Sequence, residues 1–289
     1  MINSVASDHG CLKTTKEIFS MKNISKTYKE PTKESLPTFS QFITNFFAAL
    51  TQVFNLQRNI SEIKTLRRTT KIMMSVMLIA TVASFAFGND YTFSGWIGLV
   101  TGIAVVLNLI LVDQGRLTNY SWGVLGCVVW LIIAINNRLI GDIASQSFYL
   151  VMQFVGLYVW HNQINKQSSK DELTSRSFTW LNGLFWLIVT FVIYFVVLFF
   201  SKRLNGTQVY LDATLLPLGI VGQVLMTHGY RSQWIAWITL DIVNIIIWYN
   251  QLKIVSPAST SMFVLQVIMF INSLYGLYLW YYGQQKKVS

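Results

Sequence analysis

The chain has 289 residues, of which 53% are hydrophobic and only 12% are charged, and its mean hydropathy is +0.46. A soluble domain carries about a quarter charged residues, so this composition excludes an ordinary soluble protein and indicates a polytopic membrane protein. The net charge of +10 is explained by lysines and arginines that flank apolar spans, and we expect no nucleic-acid partner. The two cysteines, Cys11 and Cys127, lie in a polar leader and an apolar run, so neither a disulfide nor a cysteine metal site is expected.

The leader precedes the first long apolar run, which begins too late for a cleavable signal peptide. Residues 1–36, rich in Lys, Ser and Thr, are predicted to be disordered. Residues 37–58 are predicted to form an amphipathic helix that lies on the membrane or docks against the helical bundle, with a regulatory role as the alternative. Its apolar face, spaced at i, i+3, i+4 and i+7, consists of Phe39, Phe42, Ile43, Phe46, Phe47, Leu50, Val53 and Phe54.

The rest of the chain is predicted to be all-α, with about eight transmembrane helices, because each apolar run approaches the roughly 20 residues that a bilayer crossing requires. The predicted spans are 71–88, 93–112, 120–140, 143–162, 178–201, 209–226, 234–251 and 261–282. Residues 283–289 are predicted to form a cytoplasmic tail. The short connectors predict that spans adjacent in sequence pack as antiparallel neighbours.

Loop charges predict the orientation of these spans. With an even number of spans, the basic residues that fall on one side are Arg58, Lys64, Arg67, Arg68, Lys71, Arg116, Lys166, Lys170, Arg176, Arg231, Lys286 and Lys287. The opposite side has only Arg138, Lys202, Arg203 and Lys253. Since positive loops stay in the cytoplasm, both termini are predicted to be cytoplasmic, and the pair Lys202–Arg203 is the local exception.

An internal repeat is indicated by the phrases "GLYVW" (156–160) and "GLYLW" (276–280), which match at four of five positions 120 residues apart. Gly102 and Gly222 are also 120 apart, and Trp122 aligns with Trp234 at a distance of 112. Residues 93–162 and 209–282 are therefore predicted to be two three-helix repeats, joined by the single helix 178–201. Because that helix adds a crossing, both repeats have the same orientation, as in some transporters. Chance matching of aromatic-rich helices is the alternative.

A parallel 3+1+3 repeat is the architecture of the SWEET sugar transporters, and the residues resemble the related PnuC family of bacterial vitamin transporters. The resemblance rests on "WIAWITLD" (234–241), on the two "GLY" phrases and on an extra helix, 71–88, before the repeats. It covers about 93–285. It implies a facilitator for nicotinamide riboside in the bacterial plasma membrane, substrate trapping by a cytoplasmic kinase, and a homotrimer. Relatives in the family carry thiamine, riboflavin or nucleosides, and the family suggests no role for the long leader.

Polar and aromatic side chains inside the spans are the candidates for binding a solute that has a ring and a sugar, because rings stack on aromatic faces and hydroxyls need hydrogen-bond partners. A single buried amide more often joins two helices, but the concentration of these residues in four spans favours a cavity. The predicted substrate-binding residues are Trp122, Asn136, Gln146, Tyr149, Gln153, Trp234, Trp237, Asp241, Asn244, Gln266, Asn272 and Tyr275.

Asp241 is the acid placed in the middle of a predicted span, where a charge costs about 2.5 kcal/mol or more. Trp237, Asp241 and Asn244 share one helix face, which suits a cationic ring with polar substituents. Four roles for Asp241 stay open: counter-ion of a cationic substrate, acceptor for ribose hydroxyls, proton carrier, or structural partner of another helix.

The predicted function is therefore transport of nicotinamide riboside or a related vitamin or nucleoside by facilitated diffusion. The alternatives are other cargoes, namely thiamine, riboflavin, a deoxynucleoside or a sugar, with or without proton coupling. A membrane scaffold or an intramembrane enzyme is the remaining class. The sequence shows no nucleophile–base pair, no HExxH-type metal motif and no nucleotide-binding loop, so we expect no enzyme, no cofactor and no metal.

Overall fold

The computed structural model describes residues 38–88, 91–136, 140–167, 172–203, 209–252 and 257–283. Within these ranges the secondary structure is helical, apart from one isolated parallel bridge between Arg176 and Tyr230. The predicted disordered leader, 1–36, and residues 284–289 of the tail lie outside the described residues. The chain divides into two compact units, residues 1–42 and 43–289.

The described helices are α1 (Phe39–Val53), α2 (Leu56–Lys64), α3 (Arg68–Gly88), α4 (Phe93–Asp113), α5 (Asn119–Asn136), α6 (Ile140–Lys166), α7 (Trp180–Arg203), α8 (Val209–Thr227), α9 (Gln233–Leu252) and α10 (Pro257–Tyr278). A π-helical turn, Leu279–Gly283, follows α10. In the first unit the structure describes residues 38–42, where Thr38 and Gln41 form a capping box. The Thr38 N–H donates to Gln41 Oε1 at 2.9 Å, and the Gln41 N–H donates back to Thr38 Oγ1.

Four stretches of the described residues are both long and apolar enough to cross a bilayer: Arg68–Phe87, Gly95–Asp113, Trp180–Arg203 and Val209–Thr227. Helix α7 is the most apolar of the four. None of the residues in its most hydrophobic stretch is buried inside the structure. Its exposed phenylalanine and leucine side chains therefore suit a lipid environment rather than water. The all-helical, multi-pass class is confirmed, whereas the count of eight crossings stays a prediction.

The segment predicted as one amphipathic helix over 37–58 forms two helices, α1 and α2, that meet at Phe54 and Asn55. The division occurs because the Asn55 side chain caps α2: its Oδ1 accepts a hydrogen bond from the Arg58 N–H at 3.0 Å. Asparagine favours such a cap over a position inside a helix.

Most of the long helices pack against their neighbours in sequence, and three further contacts cross the bundle. Helix α6 packs against α8, and α10 packs against both α4 and α3. An indole hydrogen bond joins the helices at the first two of these contacts, α6 with α8 and α10 with α4. Trp160 Nε1, on α6, donates to the Met226 carbonyl of α8 at 3.0 Å. Trp280 Nε1, after α10, donates to the Val112 carbonyl of α4 at 3.1 Å.

Helices α4 and α8 end in the same kind of turn. Gly115 and Gly229 have φ angles of 63° and 72°, a conformation that glycine adopts without strain. After α4, the N–H groups of Gly115 and Arg116 bond to the carbonyls of Val112 and Leu111, and the residues after α8 repeat this pattern 114 positions later. The two turns are therefore Schellman motifs with the same hydrogen bonds.

These turns correct the register of the internal repeat. Val112 corresponds to Met226, Gly115 to Gly229 and Tyr120 to Trp234, each 114 apart (226 − 112, 229 − 115 and 234 − 120). Tyr120 packs on Gly156 as Trp234 packs on Gly276, so pairing Trp122 with Trp234 and Gly102 with Gly222 was wrong. The sequence alignment paired identical residue types. What the two repeats share in the structure is the geometry of the glycine turn and the contact of an aromatic ring with a glycine. The 3+1+3 repeat itself stays a prediction that these paired contacts support.

Candidate functional site

A cavity of about 140 Å³ lies between four helices of the second unit. Helix α4 contributes Asn108, Leu109 and Val112; α8 contributes Gln223 and Met226; α9 contributes Trp234, Trp237, Leu240 and Asp241; and α10 contributes Met269 and Ser273. The lining is mostly apolar with a few polar groups, as in sites that bind small organic molecules.

Trp237 forms an aromatic wall of this cavity and is held against the backbone of α8. The close approach depends on Gly222, because a Cβ atom at that position would lie 3.0 Å from the Trp237 ring. The glycine therefore fixes where the ring can lie, and an indole that lines the cavity can stack on a flat ligand.

Asp241 is the one charged side chain among the described residues that line the cavity. It is 3% exposed, and its Oδ2 accepts a hydrogen bond from the Ser273 hydroxyl at 2.6 Å. A single hydroxyl compensates only part of the cost of burying a carboxylate. A cation in the cavity would therefore be stabilised by Asp241.

Two amides line the cavity beside the acid. Gln223 is buried, and its Nε2 has no hydrogen-bond partner among the described residues. Asn108 is oriented by its own Nδ2, which donates to the Asn119 carbonyl at 2.9 Å. A buried donor without a partner costs free energy, so Gln223 is ready to donate a hydrogen bond to a ligand.

Trp234, Trp237 and Asp241 are the predicted site residues that line the cavity. Asn244 is partly buried one turn beyond Asp241 and lies outside the lining. On α6, Gln146 is partly buried and Tyr149 has its hydroxyl against Gly219. Gln153 Oε1 lies beside Gly123 and has no hydrogen-bond partner in the described part of the chain. None of these three α6 residues lines the cavity.

The other predicted residues make contacts between helices or lie elsewhere. Asn272 Nδ2 donates to Asp113 Oδ1 at 3.4 Å, and the Tyr275 hydroxyl pairs with the Thr70 hydroxyl at 2.6 Å. Trp122 packs against a buried hydrophobic cluster that contains Ile110 and Leu111 of α4. Gln266 is buried on α10 outside the lining, and the side chain of Asn136 lies outside the described part of the chain.

The prediction missed Asn108, Gln223 and Ser273. Both amides fall inside predicted spans, in "VVLNLILV" and "IVGQVLM", and an amide in an apolar span is itself a signal of function. Ser273 gives no such signal, since a serine is easily accommodated inside a membrane helix. Only its contact with Asp241 identifies it.

A helical membrane bundle that encloses a small cavity lined by aromatic, amide and acidic side chains belongs to the class of solute transporters. The model of the family described as nicotinamide mononucleotide transporter matches residues 95–282 of this chain. The chain belongs to that family. It is a family of transporters, which confirms the prediction of a membrane transporter rather than an enzyme.

Named relatives agree with this assignment. The nicotinamide riboside transporter PnuC of Haemophilus influenzae is 24% identical over 210 residues, which cover 72% of this chain and 88% of the relative. PnuC of Neisseria mucosa is 25% identical over 199 residues, or 68% and 74% of the two chains. A crystal structure of the vitamin B3 transporter PnuC has the same fold, with a TM-score of 0.64 at 23% identity, and the match covers 77% of this chain and 94% of that one.

Proposed function

We propose that the chain carries nicotinamide riboside across a bacterial plasma membrane by facilitated diffusion. The observation that supports the proposal most directly is the pairing of Trp237 with Asp241 in one cavity. The nicotinamide ring of the riboside is a flat cation, which an indole face and a carboxylate stabilise together. Ser273 and Gln223 then offer polar partners for the ribose hydroxyls and the carboxamide.

The charge of the lining favours the riboside over the mononucleotide that appears in the family's description. Among the described residues of the lining, one is acidic and none is basic. A phosphate group brought close to Asp241 would meet a like charge in a medium of low dielectric constant, where repulsion is strong. Phosphate sites in proteins instead use arginine, lysine or helix N-termini.

The cavity has to widen to admit a riboside, because about 140 Å³ is smaller than the roughly 300 Å³ at which ligand pockets begin. The structure therefore suits a closed state of a carrier that alternates between two open states. Rocking of one three-helix repeat against the other is the movement that a parallel repeat permits.

The proposed orientation has both termini in the cytoplasm. Arg116 and Arg231 lie in the turns that follow α4 and α8, and the Arg176 carbonyl accepts a hydrogen bond from the Arg231 N–H at 3.0 Å. Several arginines thus gather at the end of the bundle that contains Gly115 and Gly229, as expected of a cytoplasmic face. A homotrimer and substrate trapping by a cytoplasmic kinase are implied by the family resemblance and are part of the same proposal.

Thiamine is the second candidate cargo, since its thiazolium ring is also a flat cation that Trp237 and Asp241 could bind. Riboflavin, deoxynucleosides and sugars carry no such charge, so Asp241 gives no reason to prefer them.

A thermal-shift screen of the purified protein, followed by competition in an uptake assay, tests the cargo. We expect nicotinamide riboside to raise Tm and to compete for uptake, and nicotinamide mononucleotide to do neither at the same concentration. Trp237→Ala should weaken riboside binding about 5- to 100-fold through lost stacking, whereas Trp130→Ala, at an exposed tryptophan of α5, should leave it unchanged. Equal stabilisation by the mononucleotide would contradict the charge argument, and stabilisation by thiamine alone would change the cargo.

A further inference from the structure

Three tryptophans form a buried aromatic cluster at the end of the bundle where Gly115 and Gly229 lie. We call Trp160, Trp234 and Trp280, together with Tyr120, the tryptophan cluster. All four side chains are at most 1% exposed. The ring centroids of Trp160 and Trp280 are 6.1 Å apart, those of Trp234 and Trp280 are 6.2 Å apart, and those of Tyr120 and Trp160 are 5.1 Å apart.

The tryptophan cluster closes one end of the substrate cavity. Val112, Met226 and Trp234 line the cavity and belong to the same buried core as Trp160 and Trp280. The carbonyls of Val112 and Met226 are also the acceptors of the two indole hydrogen bonds, from Trp280 and Trp160. A solute leaving the cavity at this end must therefore separate α6 from α8, or α10 from α4.

The segment 172–179, which precedes α7, is hydrogen-bonded to both of the glycine turns. The Leu173 N–H donates to the Gly115 carbonyl at 2.8 Å, and the Arg176 N–H donates to the Gly229 carbonyl at 2.8 Å. The Leu173 side chain is fully buried in the same core and lies close to Gly229, where a Cβ atom would come within 3.0 Å of it. The segment thus links the ends of α4 and α8 by backbone bonds, which resist separation of these two helices.

Helix α1 also packs into this core. Ala49 and Val53 are fully buried members of it, and Phe46 and Leu50 pack against it. Phe47 of the same helix is more than half exposed. The residues of α1 at positions 46, 49, 50 and 53, spaced at i, i+3, i+4 and i+7, therefore pack in the core that also contains the tryptophan cluster.

Helix α2 fixes α1 in this position through buried polar contacts with α5. Glu62 Oε2 accepts hydrogen bonds from the Thr118 N–H at 3.0 Å and from the Thr118 hydroxyl at 2.6 Å. Asn59 Oδ1 accepts from the Ser121 hydroxyl at 2.8 Å, while its Nδ2 donates to the Val53 carbonyl at 2.8 Å. Buried hydrogen bonds of this kind are characteristic of a segment that is an integral part of the fold, and a membrane anchor alone does not require them.

We propose that the tryptophan cluster is the gate of the cavity on the Gly115 and Gly229 side, and that helix α1 is a strap that holds this gate shut. The proposal rests on the proposed function, since a carrier must open at this end for its cargo to pass. It assigns a role to the part of the leader next to the bundle. Loosening either the indole bonds or the packing of Val53 shifts the population toward a state open on this side.

Thiol labelling of a cysteine placed in the cavity tests the gate without requiring transport. Met269→Cys, in a background of Cys11→Ser and Cys127→Ala, gives a single reporter on the lining. A charged, membrane-impermeant thiol reagent is added to sealed vesicles of each orientation. Trp280→Phe removes the bond to the Val112 carbonyl, and we expect labelling from the Gly115 and Gly229 side to become about fivefold faster. Trp130→Phe, at an exposed tryptophan of α5, should leave the rate unchanged.

The strap is tested in the same assay by a matched pair on α1. Val53→Asn places an amide in the buried edge and should also accelerate labelling from that side, whereas Phe47→Asn, on the exposed edge, should not. Unchanged labelling in both Trp280→Phe and Val53→Asn overturns the gate, and acceleration in Trp280→Phe alone overturns the strap. Thermal melting of each variant establishes that it is folded. Accelerated labelling without any riboside uptake would retain the gate and reject only the cargo.

Discussion

The buried acids Asp241 and Asp113 each accept a hydrogen bond from α10, and the two donors are adjacent in sequence. Ser273 donates to Asp241 Oδ2 at 2.6 Å, and Asn272 donates to Asp113 Oδ1 at 3.4 Å. Asp241 lines the cavity and Asp113 does not. The two carboxylates therefore have similar burial but different access to a ligand, which makes each the control for the other.

Asp241→Asn should lower the uptake of a cationic riboside by at least about tenfold, because a charge-assisted contact is replaced by a neutral one. A neutral analogue of the riboside should lose much less. Asp113→Asn should preserve this preference for the cation, since that side chain lies outside the cavity lining. Initial uptake rates of the labelled riboside and the labelled neutral analogue give the ratio of the two rates for each variant. An equal loss for both solutes in Asp241→Asn would remove the counter-ion role of Asp241.

Gly222→Ala should displace the Trp237 ring, because the added Cβ would lie 3.0 Å from it. We expect weaker riboside binding and a loss of stability of about 1–3 kcal/mol, the usual cost of overpacking. Gly98→Ala is the matched control, since a Cβ at that position meets no atom within 4 Å and alanine favours a helix. Binding affinity and Tm of both variants measure the effect. A Gly222→Ala protein with unchanged affinity would show that the ring position is not critical.

At the scale of the helices, the sequence predicts what depends on local pattern. Apolar runs predict the long helices and the 3.6-residue period predicts α1, because hydropathy and amphipathicity are properties of adjacent residues. That Tyr120 and Trp234 occupy equivalent positions in the two repeats could not be predicted in this way. Their equivalence depends on contacts with Gly156 and Gly276, which are distant in sequence. For the same reason the sequence could not separate Gln223, which faces the cavity, from Gln266, which does not.

The start of α5 depends on a side chain from α2. Glu62 bonds to both the N–H and the hydroxyl of Thr118, so it acts as an N-cap supplied by another helix. Glu62→Gln should lower the free energy of unfolding by about 1–3 kcal/mol through the lost charge. Arg58→Gln removes the 2.8 Å ion pair with Glu62 but leaves the cap, and should cost less. Thermal melts of both proteins give the comparison, and a larger loss in Arg58→Gln would contradict the capping role.

For the whole molecule, the arrangement of polar groups bears on how transport is driven. Coupling to protons needs a titratable group that changes its charge between the two open states, together with a path for the proton. Asp241 is a titratable group, and the described residues of the cavity lining include no histidine or lysine beside it. The described lining therefore supports the proposal of facilitated diffusion rather than that of proton coupling.

Purified protein in liposomes should accordingly equilibrate riboside without any ion gradient. We expect the internal concentration to rise to the external value and stop, because the proposed facilitated diffusion couples the solute to no ion. An uncoupler should leave the initial rate unchanged, and liposomes without protein supply the background. Adding a riboside kinase and ATP inside the liposomes should then produce net accumulation, since phosphorylation removes the transported species. Accumulation without the kinase that collapses with the uncoupler would instead make the protein a proton symporter, and its loss in Asp241→Asn would identify the carrier of the proton.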